Sequence, residues 1–191
     1  MGSIWAIQAF WLALALPGFA LLWRFDRASL HGGVLDGFAR SYLISFVLLT
    51  PFSVLGHLCE WPLWTLSGAY LVAVALALVS LADDPSWLAR PRWPGIAAAV
   101  GGGLLLIDLC FGMRAGTHSG GDAGYHIARI RLISELGLNS WDPLIADRRI
   151  DAVYHTNLYH ALIAASAQLT RSDPAWAWLE VWPFAKLLTI A

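Results

Sequence analysis

The sequence predicts an all-α membrane protein, a polytopic bundle of about six transmembrane helices with an amphipathic helix in a long external loop. Three observations carry this. First, 58% of the 191 residues are hydrophobic and only 13% are charged, against roughly 25% charged in ordinary soluble domains. Second, runs of span length recur along the chain. Third, Trp5, Trp23, Trp61, Trp64, Trp93, Trp176 and Trp182 fall near the ends of those runs, as an interfacial belt requires. Lipid offers no partner to a backbone N–H or C=O, so the spans must be helices rather than open strands.

Taken in order, the expected spans are residues 3–23, 41–59, 61–82 and 95–113, a shorter one at 154–170, and a sixth beginning near Pro174. The first lacks the basic start and small-residue cleavage site of a secretory signal, and reads as a retained helix. Pro17-Gly18 and Thr50-Pro51 are expected to kink the first and second. Gly101-Gly102-Gly103 permits close helix approach in the fourth. The last run is still apolar at Ala191, with no polar flank, which suggests a truncated chain. The division expected is a three-helix membrane region over 1–93, followed by a second module over 94–191.

Formal net charge is -1. The chain therefore lacks the basic excess with which nucleic-acid binders meet phosphates, and no nucleic-acid partner is expected. Cys59 and Cys110 form neither a CxxC pair nor a disulfide framework and read as small core residues. No GxSxG, Walker loop or GxGxxG pattern is present. Arg and Lys in short loops put Arg24, Arg27 and Arg40, then Arg90 and Arg92, then Arg171 on the inner face, and the turn at Glu60 and the segment 114–153 on the outer. The expected location is the plasma (inner) membrane of a bacterium, with that segment extracytoplasmic.

Most chemically able residues lie in RAGTHSGGDAGYHIARIRLISELGLNSWDPLIADRRIDAVYHTNLYH, residues 114–160. The stretch Asp122–Leu136 has no proline and reads as a helix closed by Gly137, which fits a C′ glycine. At about 100° per residue, Asp122, His126 and Arg129 share one stripe, while Arg131 and Glu135 are placed to pair at i, i+4. Leu132, Leu136, Ile127 and Ile130 give the other faces apolar contacts, suiting a helix in the membrane interface. Asp122 reads as an N-cap or a functional carboxylate, and the two are compatible: a helix N-terminus keeps a carboxylate ionised. Asp122 and His126 are the candidate catalytic residues; Arg129, Arg148, Arg149, Tyr154 and His155 are the candidate substrate-binding residues. The bland reading of the arginines is contact with lipid headgroups. His155 and His160 are five apart and do not share a helical face, so no HExxH-type zinc pair exists; a metal held by His118, Asp122 and His126 is conceivable, and metal dependence stays open. Asp108, within the fourth span, is a functional candidate by position, with His57 and Glu60 as its candidate partners.

A span, then GDAGYHIARIRLISELG, a WDP turn, and VYHTNLYHALIAA leading into the next span resembles the first external loop of GT-C glycosyltransferases. The match covers about half the chain, from residue 95 onward. The resemblance implies a sugar donor on a polyprenyl phosphate, inverting transfer outside the cytoplasm to a glycan, lipid or protein acceptor, and an acidic base in this loop, the place taken by Asp122. Two departures stand out. Ala123 and Gly124 follow Asp122 where members often have a second acidic residue, and Thr156 stands where a YHPP-like sequence has its first proline. The competing readings are a non-catalytic scaffold, lipid-binding subunit or transporter fragment of cell-envelope polysaccharide assembly, and a small membrane metalloenzyme using His118, Asp122, His126, His155 and His160.

Overall fold

The computed structural model describes residues 4–30, 34–88, 103, 122–138 and 157–181. Those residues are helical, with no strand among them: α1 (Ile4–Ala13), α2 (Ala15–Phe25), α3 (Val34–Leu58), α4 (Leu63–Asp83), α5 (Asp122–Leu136), α6 (Leu158–Thr170) and α7 (174–181). Three helical segments are long and apolar enough to cross a bilayer: Trp5–Phe25, which joins α1 and α2, then Asp36–Leu58 and Leu63–Asp83. The described residues are therefore all-α, and their three long apolar helices coincide with the first three expected spans. The run 95–113, with Asp108 and Cys110 in it, lies outside the described residues except for helical Gly103, and so do 114–121, 139–156 and 182–191.

The break between α1 and α2 is local. Pro17 has no N–H to give the Ala13 carbonyl one turn back, and regular bonding lapses there. Leu14 remains in the α region and its N–H still reaches the Phe10 carbonyl at 3.0 Å. One residue on, the Gly18 N–H bonds to the Ser45 hydroxyl of α3 at 2.9 Å, and that hydroxyl donates to the Ser41 carbonyl at 3.0 Å. A neighbouring helix thus satisfies the group beside the proline, as the hydrocarbon demands. By contrast, α3 runs unbroken through Pro51 for 25 residues. It starts earlier than the expected 41, and within its added turns Asp36 and Arg40 pair on the helix surface at 2.9 Å.

The turn between α3 and α4 closes by a Schellman pattern: Trp61 N–H reaches the Gly56 carbonyl at 2.7 Å, with Glu60 left-handed at φ 55°. Cys59 lies in this turn and is exposed, not a core residue; it is placed one residue past the end of α3, where no helix covers it. At the opposite end, Asp84 joins α4 to α2, accepting from the Trp23 indole at 3.2 Å and from Arg27. The Ser86 hydroxyl, ahead of Trp23 and Arg27, holds the Asp84 carboxyl down to about 2. Trp23 is accordingly buried rather than part of an interfacial belt, whereas Trp5, Trp64 and Trp176 are exposed.

The core is built around α6. Every residue from Ala161 to Ala167 is buried, and α1, α3, α4 and α5 all pack against this helix. Its small side chains allow that approach. Ser67 of α4 donates to Gln168 at 2.7 Å, and Tyr70 of α4 donates to the Phe10 carbonyl of α1 at 2.8 Å, its ring stacked on Phe10 with centroids 4.1 Å apart. One apolar cluster runs from Ile7 to Val181, so the described parts of 1–93 and 94–191 share a core. At 13 residues α6 is about 20 Å long, short of the ~30 Å of hydrocarbon. Asn157 begins it by accepting the His160 N–H at 3.3 Å.

Candidate functional site at the contact of α5 and α6

Helix α5 occupies the residues its pattern predicts and ends as expected. Gly137 sits at φ 92° with its N–H on the Ile133 carbonyl at 3.0 Å. The left-handed conformation favours glycine here, and the Trp61 carbonyl lies 3.2 Å from where a Cβ would stand. One face of the helix is covered and the other is open. Arg129, Ile130 and Ile133 are buried, Ile127 packs against the core, and Leu136 is exposed despite its apolar side chain. The predicted Arg131–Glu135 pair does not form; Arg131 reaches the Asp173 carboxylate instead, at 3.3 Å to each oxygen, and ties α5 to the segment before α7.

The shared stripe of His126 and Arg129 faces α6. His126 Nδ1 lies 2.8 Å from His160 Nε2. That contact accounts for most of the 4.9 Å between ring centres, and the rings are inclined by 25°. The nitrogens therefore meet edge to edge, in a hydrogen bond rather than a face-to-face stack. Trp178 of α7 covers the His126 ring, with centroids 4.8 Å apart and planes 17° from parallel, and Tyr159 meets Trp178 edge-on at 6.1 Å.

Arg129 is 1% exposed. A side chain so deeply covered is not a headgroup contact, which removes the bland reading of this arginine. It shares the lining of a cavity of about 10 Å3 with Ser53, His57, Asn157 and Ala161, the last two from the first turn of α6. That volume is about the room one water needs. Burial, followed by the charges of His126 and Arg129, pushes the His160 imidazole down to about 4, so it is neutral at physiological pH.

Asp122 is the first residue of α5, one turn before His126; its side chain lies outside the described residues, as do His118, Arg148, Arg149, Tyr154 and His155. Of the seven expected site residues, the structure brings His126 and Arg129 together. His57, suggested as a partner of Asp108, lies 3.5 Å from the Leu138 carbonyl. Among the described residues no cluster of three His, Cys, Asp or Glu side chains is arranged to hold a metal ion. Reasoning from sequence missed His160 as the partner of His126, and Trp178 as its cover. Only the histidine carried a signal, in the YHTNLYH motif. A buried Gln8–Glu180 hydrogen bond of 3.3 Å between α1 and α7 was also missed. The chain matches no protein-family model, no curated protein and no solved structure.

Proposed function

We propose that the protein is a membrane glycosyltransferase of GT-C type that moves a sugar from a polyprenyl-phosphate donor to an acceptor on the extracytoplasmic side, within a bundle of about six spans. The observation that carries this reading is the convergence of His126, His160 and a buried Arg129 at the α5–α6 contact, one turn beyond Asp122. A buried guanidinium and two imidazoles, one turn beyond a carboxylate in the same helix, suit a phosphate leaving group and an acceptor hydroxyl. The loop motifs from GGDAGYH to VYHTNLYH supply the independent support.

In this reading the acceptor oxygen attacks the anomeric carbon and the bond from that carbon to the phosphate oxygen breaks. The electron pair leaves with the phosphate, and the hydroxyl proton goes to Asp122. Arg129, with Arg148, Arg149, Tyr154 and His155, opposes the charge that develops on the phosphate. Asp122→Asn keeps shape and removes the base. It is expected to lower kcat by about 10^2 to 10^4 in membranes supplied with labelled polyprenyl-phosphate sugars, with thermal unfolding unchanged. Folded variant protein that transfers sugar at the native rate would sink the catalytic role of Asp122.

A further inference from the structure

We propose that His160 fixes His126 in its Nε2–H tautomer, and so makes His126 a hydrogen-bond donor, not a base, on the edge of its ring turned away from His160. The two imidazoles, 2.8 Å apart, hold one proton between Nδ1 of His126 and Nε2 of His160. That proton can belong to either ring, and the far nitrogen of His160 decides which. His160 is 2% exposed, and its Nδ1 is buried with no hydrogen-bond partner among the described residues. Were His126 the donor, neutral His160 would carry its own proton on Nδ1, a buried N–H with nothing to receive it. Orphaned donors of that kind are rare and expensive, while a bare lone pair is more readily tolerated. Protonating both nitrogens is no escape, because burial and the neighbouring His126 and Arg129 disfavour the imidazolium. The proton therefore sits on Nε2 of His160 and is given to Nδ1 of His126.

With its Nδ1 accepting, His126 carries its proton on Nε2. The arrangement is rigid on both sides. Asn157 caps the first turn of α6 through the His160 N–H, and the helix is buried through the residues that follow. Trp178 lies over the His126 ring and holds its plane. The role of the donor rests on the glycosyltransferase reading: there, Nε2–H of His126 hydrogen-bonds an anionic oxygen of the departing phosphate, while Asp122 takes the acceptor proton. His160 is a positioning residue in this scheme.

The test is nitrogen-15 NMR of the whole chain, histidine-labelled, in nanodiscs at neutral pH, with the His126 signals identified from a His126→Gln sample. The expected spectrum shows His126 protonated at Nε2 and bare at Nδ1. In His160→Ala the two His126 tautomers should become mixed, and His160→Gln, whose amide N–H can stand where the imidazole N–H stood, should restore the single form. A native His126 protonated at Nδ1, or one whose tautomer ignores the loss of His160, overturns the inference. If His160→Ala does not fold, the native spectrum alone decides. Because the tautomer is read without turnover, an Asp122→Asn protein that still transfers sugar would remove the functional reading and leave this assignment standing.

Discussion

A histidine sunk to 2% exposure between an arginine and a second histidine has one favoured charge state, the neutral one. His160 titrates near 6.5 when free and near 4 in the fold, so between those values the unfolded chain holds the proton and the folded chain does not. Stability is full above pH 6.5 and is lost as pH falls toward 4, by up to about 3 kcal/mol from this residue. Thermal unfolding in detergent at pH 7.5 and pH 5 should show that slope, and His160→Gln should flatten it. An equal slope in the variant would assign the pH dependence elsewhere. At this level the sequence revealed only part of the site. The spacing of His126 and Arg129 is a local helical property and could be read directly; the meeting of His126 with a residue 34 positions away depends on how two helices dock, and no local pattern encodes that.

The contact of α2 with α3 shows what the small residues in these helices do. Gly18 brings its Cα against the Ser41 carbonyl so closely that any Cβ would collide with that backbone. The same approach lets Ser45 receive the Gly18 N–H. Gly18→Ala is expected to force the helices apart at a cost of about 1–3 kcal/mol, and Ser45→Ala to cost about 1 kcal/mol by leaving the N–H without its acceptor. Both are checked by chemical unfolding in mixed micelles. A fully stable Gly18→Ala protein would mean that α2 and α3 do not cross this closely. The sequence marked Pro17-Gly18 as a site of irregularity, and that was legible because proline's missing donor is a chemical fact. The response to it was not, since the compensating hydroxyl comes from another helix. Helix ends followed the same division: Gly137 announced the end of α5, but α6 begins at Leu158 rather than 154 because Asn157, not the apolar pattern, sets its first turn.

The way these helices associate makes one residue report on the side of the membrane that holds the candidate site. Arg24, Arg27 and Arg40 gather where α2 leads into α3, which the positive-inside rule assigns to the cytoplasm. The α3–α4 turn lies one span length away, and the end of α5 docks there: Leu138 N–H points to the Trp61 carbonyl at 3.4 Å, and Gly137 lies against the same peptide. Cys59 sits exposed in that turn. In a Cys110→Ser background, a membrane-impermeant maleimide added to intact cells should therefore label Cys59, with no further gain on permeabilisation. Labelling confined to permeabilised cells would invert the bundle. It would then carry the α5 docking point to the cytoplasmic side, and transfer outside the cytoplasm would have to be abandoned even if Asp122 proved essential.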